Sequence, residues 1–262
     1  MSLPLGFTNA TTDALPLHVV DRSHLSDWRA RQPAATVAWL DAQGFDGAPG
    51  SALLLPGSDG ASGAVIGIGD PLDPYSYGHA PFALPARAFR LVGDHDAAMV
   101  AALQLGWGLG AYRFDRYKQP PRAPALLQVD DNAEVHDALA ACVRVRDLVN
   151  TPTEHMGPDQ LEQVAREIAE RFGARIEVIS GDDLLTRNFP AIHAVGRASH
   201  RAPRLIALQW GDEAHPHVAL VGKGVCFDTG GLDLKGADGM RNMKKDMGGS
   251  AHAIALAEWV MA

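Results

Sequence analysis

The sequence is poor in cysteine, in basic charge and in long apolar runs, and each shortage excludes something. Cys142 and Cys226 are the only cysteines among 262 residues. Two thiols cannot build a disulfide framework or a four-thiolate zinc site. Lysines and arginines number 23 against 31 aspartates and glutamates, a formal charge of −8, which excludes a generally basic, phosphate-coating surface but not a local basic patch. No apolar stretch approaches the roughly 18 residues of a membrane helix. The opening MSLPLGFTNATTD has no basic start followed by an apolar block, so no secretory signal is read there and the cytoplasm is the expected compartment. What remains is a chain with 47 % hydrophobic residues, long enough to bury a substantial core in one large domain or two smaller ones.

No internal repeat or low-complexity tract interrupts it. The runs SALLLPG from Ser51 and GAVIGIGD from Gly63, separated by a Gly/Ser/Asp turn, predict a hairpin or edge pair. A helix is expected over 94–105, capped by Asp94 and stopped at Gly106, and a strand over PALLQVD, 124–130. Residues 132–150 repeat apolar side chains at helical spacing through Val135, Leu139, Cys142 or Val143, and Leu148 or Val149. That pattern places Cys142 in a core. The prolines and glycine of NTPTEHMGP forbid continuation. Beyond them the rhythm alternates: a helix over 158–172 with Pro158 in its first turn and Gly173 after its end, then ARIEVIS, a short helix in GDDLLTRNF, and the strands APRLIALQW and HVALVGKG. These last are apolar enough for burial on both faces. The expected fold is α/β, with a smaller N-terminal α/β domain (1–131), a connecting helix (132–150) and the first part of a mostly parallel α/β catalytic domain (151–262).

The chemistry concentrates in VGKGVCFDTGGLDLKGADGMRNMKKDMGG, 221–249, where ligands gather beyond a strand's carboxyl end. Extended, Lys223 and Asp228 would lie roughly 16 Å apart on opposite faces, so a sharp fold between Gly224 and Phe227 is needed to bring them together. The flanking glycines permit one. Asp246 is placed to cap the following helix or to point into the same site. Aspartates suit Mg²⁺, Mn²⁺ or Zn²⁺, and a lysine amine ligates once deprotonated. Lys235 supplies a charge for a developing oxyanion. From chemistry alone a phosphate-binding or solvated loop is an equal alternative. A P-loop fails for want of a glycine five residues before Gly222, where His217 stands, and of the following Ser/Thr, and Gly106, Gly108 and Gly110 lack dinucleotide-fingerprint spacing.

These residues closely resemble the leucyl aminopeptidase family of two-metal exopeptidases, whose lysine–aspartate signature is similar to VGKGVCFDTGGLDLK followed by MKKDMGG. LVNTP at 148–152, AVGRASHRAPRLIAL from Ala194 and LGAYRFDRYK from Leu109 extend the likeness toward the shorter bacterial members. The resemblance implies that Lys223 and Asp246 bind one metal and Asp228 bridges to a second. It gives Lys235 the role of polarising the substrate carbonyl, with Lys235, Asp228 and Met240 meeting substrate. Two divalent ions, zinc or manganese, with bicarbonate, would release N-terminal residues from peptides in a homohexamer. The family's second block, Asn-Thr-Asp-Ala-Glu-Gly-Arg, does not occur in residues 1–262, so this chain alone is expected to be inactive. The alternative is a non-catalytic assembly or DNA-binding protein on the same fold.

Other features have plainer readings. His215 and His217 could share a strand face and bind metal, but a loop feature is the commoner case. His252 is expected at packing or solvent, and Cys226 as a buried thiol. Met243 and Met247 serve a substrate pocket or the core equally. Arg113, Arg116 and Lys118 form a small basic–aromatic cluster, read first as a solvated face and second as a nucleic-acid contact.

Overall fold

The computed structural model describes residues 3–10, 13–58, 60–130 and 132–262. The expected domain limits at residues 1 and 131, and Asp59 of the hairpin turn, lie outside them. The chain divides into two units between Ala140 and Ala141.

The first unit contains β1 (Phe7–Thr8), β2 (Leu15–Val20), α1 (Leu25–Ala30), α2 (Ala34–Ala42), β3 (Ala52–Gly57), β4 (Gly60–Gly67), α3 (Ala80–Ala83), β5 (Ala88–Leu91), α4 (Ala97–Ala111) and β6 (Leu126–Gln128). Its six strands run β1-β6-β5-β2-β4-β3. All neighbours are parallel except the β3–β4 hairpin, which is the pair the turn residues predict. Val20, Trp28, Leu40, Phe45, Leu55 and Val65 form one core cluster on this sheet.

Helix α4 corrects the sequence reading at both ends. Asp96, not Asp94, caps it, accepting from the Met99 N–H at 2.7 Å. It then continues through Gly106, Gly108 and Gly110. A Cβ on Gly106 would fall 1.9 Å from the Pro74 carbonyl oxygen, and on Gly110 2.1 Å from that of Gly78. Those glycines serve close packing inside a helix, which outweighs their poor helix propensity.

Helix α5 (Ala133–Asn150) runs from the first unit into the second. Its buried positions move from Val135 and Leu139 to Ala141 and Leu148, and this change of face leaves Cys142 exposed, contrary to the core placement. The second unit continues with α6 (Pro158–Phe172), β7 (Arg175–Ser180), α7 (Asp183–Thr186), α8 (Pro190–Gly196), β8 (Arg204–Gln209), α9 (Ala237–Arg241) and α10 (Gly248–Met261). Helix α6 has the predicted limits, with Gly173 left-handed at φ 67°, as a helix-ending glycine should be. It packs on β7 and β8, which are antiparallel to each other. The mostly parallel sheet therefore belongs to the first unit. HVALVGKG joins no described strand, and its Val218 and Val221 are 85 % and 93 % exposed. A strand buried on both faces requires paired neighbours and covering layers, which the described residues do not supply here. No helix among them is long and apolar enough to cross a membrane.

Candidate functional site

Segment 221–250 is held by close backbone approach. The Ser250 N–H, in the first turn of α10, donates to the Lys223 carbonyl at 2.8 Å. This contact requires glycine on both sides: a Cβ on Gly222 would lie 2.5 Å from the Gly249 oxygen, and one on Gly249 2.8 Å from the Lys223 nitrogen. With its backbone docked, Lys223 extends its Nζ to Asp246 Oδ2 at 2.8 Å. Asp246 follows a 3₁₀ turn over Met243–Lys245 and donates its N–H to the Met243 carbonyl at 2.9 Å. It does not cap α10, whose cap position is Met247 without a side-chain bond. Its carboxylate thus faces Lys223 rather than the start of α10.

Asp228 and Lys235 meet through a reversal of the chain at 229–235. Asp228 Oδ1 accepts from the Gly230 N–H at 2.8 Å, and the Lys235 N–H donates to the Thr229 carbonyl at 2.9 Å. Between them Gly230, Gly231, Leu232 and Asp233 all have positive φ, from 48° to 80°. Two of these are non-glycine residues in a region that costs an L-residue about 1 kcal/mol or more. The reversal sets Lys235 Nζ 2.7 Å from Asp228 Oδ1 and 3.3 Å from Met243 Sδ. The methionine beside Lys235 is thus Met243, which is buried, whereas Met240 sits half-buried on α9. The Met240/Met243 helical spacing was the only sequence signal for it, and it did not distinguish the two.

Hydrogen bonds from the Lys235 ammonium and the Gly230 N–H hold the Asp228 carboxyl below its ordinary pKa against desolvation, and the charges of Lys235 and Lys223 add smaller effects in the same direction. Lys223 therefore lies close enough to act on Asp228 although it pairs with Asp246. The four residues form two neighbouring, mutually neutralising ion pairs. Beneath them Leu148, Met156, Leu161, Cys226, Met247 and Ala251 form a buried cluster. Cys226 is a core thiol as expected, and burial raises its pKa to about 11. The site opens on a broad groove of about 2260 Å³.

The remaining candidates separate from this centre. His215 and His217 are exposed, and among the described residues no group of three or more His, Cys, Asp or Glu is placed to hold a metal. His252 contacts the Gly248 carbonyl one helical turn back, at 2.7 Å. Arg113 stacks on Phe82 at 3.7 Å and donates to the Gly110 and Tyr112 carbonyls. Arg116 lies 5.6 Å from the Tyr117 ring. Arg113 is thus engaged in packing. As a metal centre the site is partial: two carboxylates and one amine suit a hard or borderline divalent ion, and they fall short of a full ligand set.

Two family models match the chain in tandem: the M17 aminopeptidase N-terminal domain over residues 15–129 and the catalytic domain of the cytosol aminopeptidase family over 143–262. A probable cytosol aminopeptidase of Corynebacterium efficiens is 36 % identical over 248 residues, covering 86 % of this chain and 49 % of its own length. The crystal structure of a cytosol aminopeptidase from Coxiella burnetii superposes with a TM-score of 0.89 at 41 % identity, over 96 % of this chain and 56 % of that one. The bottromycin maturation enzyme BotP, in complex with Mn, has a TM-score of 0.73 at 26 % identity, covering 95 % and 56 % of the two chains. The chain spans about half the length of the relatives it matches. With both family domains matched in order and the lysine–aspartate segment inside the second, the chain belongs to the cytosol aminopeptidase family.

Proposed function

We propose that residues 1–262 carry the first half of a two-metal aminopeptidase site, which in the whole protein releases N-terminal amino acids from peptides. The observation that carries this reading is the convergence of Lys223, Asp228, Lys235 and Asp246 as two adjacent ion pairs on one glycine-dependent segment. On this reading residues 151–262 are the first part of the catalytic domain and 132–150 its connecting helix. Lys223 and Asp246 would hold one divalent ion, with Asp228 bridging to a second. The manganese in the BotP structure supports manganese, and zinc is the alternative. Bound ions would supply Lewis acidity and a water of lowered pKa.

The chain's own residues do the rest. Lys223, which the structure pairs with Asp246, would contribute its amine to the ion beside that carboxylate. Lys235 would direct its ammonium at the substrate carbonyl oxygen, where negative charge develops. Asp228 and Met240 would meet the substrate together with Lys235. The remaining carboxylates, and an arginine for bicarbonate, would come from outside these residues. So would the cover for the exposed apolar groups Val218, Val221 and Val260. A cytosolic homohexamer with peptide substrates completes the proposal.

The test is release of nitroaniline from leucine 4-nitroanilide by the protein purified from its source, with and without Mn²⁺ or Zn²⁺. Metal-dependent release that falls by about 10²–10³ in a Lys235→Ala variant is expected from loss of an oxyanion-stabilising group. Salt-sensitive binding of duplex DNA without any hydrolysis would overturn the reading in favour of a non-catalytic role.

A further inference from the structure

The NTPT turn at 150–153 is marked by its composition yet takes no part in the chemistry above. Thr151 ends α5: its N–H and its Oγ1 both bond to the Asp147 carbonyl, at 3.0 and 2.7 Å. Pro152 follows and cannot extend the helix. The turn is therefore fixed, with Asn150 and Thr153 as its two ends. Lys244, two residues before Asp246, reaches Asn150, its Nζ lying 3.3 Å from the backbone oxygen and 3.4 Å from Oδ1. A cation on the last carbonyls of α5 is favoured by the helix dipole as well as by the bonds. On the other end, Thr153 Oγ1 donates to the Cys226 carbonyl at 3.1 Å, two residues before Asp228. Thr153 is itself anchored, its carbonyl accepting from Arg201 at 2.8 Å.

We propose that this turn is a two-ended clamp in which Asn150, through Lys244, positions the Asp246 arm and Thr153 positions the Asp228 arm. Two ligand-bearing segments 18 residues apart in sequence are thereby referred to one rigid turn. Neither Asn150 nor Thr153 touches the reacting atoms; both are positioning residues. Lys245, beside Lys244, points to solvent and serves as a built-in control. The metal part of the proposal rests on the function proposed above, but the positional part does not.

Cys226 lies on the clamped segment and is buried, while Cys142 is exposed, so labelling by a small disulfide reagent reads the Asp228 arm directly in the metal-free chain. Thr153→Val keeps the side chain's shape and removes the hydroxyl. It is expected to raise the Cys226 labelling rate about fivefold, the factor one lost hydrogen bond carries. Cys142 should be unchanged, and Thr153→Ser should restore the slow rate. Lys244→Met should leave Cys226 slow and instead speed exchange of the Ser250 amide; Lys245→Met should do neither. Calorimetric titration with Mn²⁺ then tests the consequence. Thr153→Val and Lys244→Met should each weaken binding about fivefold, multiplying in the double variant as independent arms do. Equal Cys226 rates in wild type and Thr153→Val, or a Lys244→Met protein indistinguishable from Lys245→Met by amide exchange, would overturn the clamp. Absence of Mn²⁺ binding by the wild-type chain would count against the metal reading, with the labelling and exchange results still deciding the clamp.

Discussion

At the residue scale, the site depends on where side chains are missing as much as on where charges are present. Lys223 docks on α10 only because Gly222 and Gly249 leave room for backbone against backbone. Gly222→Ala should therefore cost about 1–3 kcal/mol, as overpacking against immobile backbone does, lowering the thermal midpoint and separating Lys223 from Asp246. Gly236→Ala is the matched control, since a Cβ there meets nothing within 4 Å; it should lower the midpoint less than Gly222→Ala, by no more than a poorer cap on the five-residue α9 costs. The four charged residues stand out in the sequence as a crowded, glycine-rich segment, but their chemistry alone leaves a solvated loop an equal alternative, and the resemblance to the aminopeptidases is what favours a site. Their pairing is not legible there. Periodicity and spacing give no account of a reversal built from four successive positive-φ residues, two of them Leu232 and Asp233.

At the element scale, α10 is fixed from its far end by Glu258. This buried carboxylate accepts from Arg144 Nε and, at 2.8 Å, from Arg144 Nη2 of α5, and at 3.2 Å from Arg171 of α6. Glu258→Ala should destabilise the second unit by about 1–3 kcal/mol; the partial exposure of both arginines keeps the loss below that of a fully buried pair. Denaturant titration of the variant measures it. Glu162 of α6 makes a comparable junction with Arg166 and with Arg204 of β8. Its burial favours the neutral carboxyl, but the hydrogen bonds and charges of both arginines overcome this and lower its pKa from the ordinary 4.5. A carboxylate whose folded pKa is depressed contributes stability that is present above the unfolded value and lost as pH falls through the folded one. The gap in urea midpoint between wild type and Glu162→Gln should accordingly be widest near neutrality and close below about pH 4.5.

Elements differed in how clearly the sequence announced them. Pro158 and Gly173 bracket α6 because their backbone preferences act locally, and the hairpin turn did the same for β3 and β4. The course of α4 was hidden because its glycines answer to Pro74 and Gly78, residues brought near only by the fold. Cys142 was misplaced because α5 changes its buried face midway, which a single apolar stripe cannot express. HVALVGKG has a strand's composition, but composition states only that a segment can pair. Pairing needs a neighbour, and no described strand lies beside it.

At the scale of the whole molecule, the proposed function accounts for apolar groups left exposed beside the site. Val218, Val221, Leu232 and Val260 are well exposed and line the groove that carries the site; where such groups adjoin, they mark interaction surfaces. The isolated 262-residue chain should bind an apolar dye such as anilinonaphthalene sulfonate in its folded state, and Val221→Ser with Val260→Ser should reduce the fluorescence. It should also cleave leucine anilide far more slowly than a relative of full length, having only part of the ligand set.

The most direct measurement is Mn²⁺ binding to this chain, followed by electron paramagnetic resonance of the free ion. One saturable site is expected, weakened at least tenfold by Asp246→Asn and unaffected by Lys245→Gln. Equal binding by wild type and Asp246→Asn would show that the convergence of Lys223, Asp228 and Asp246 is not a metal site.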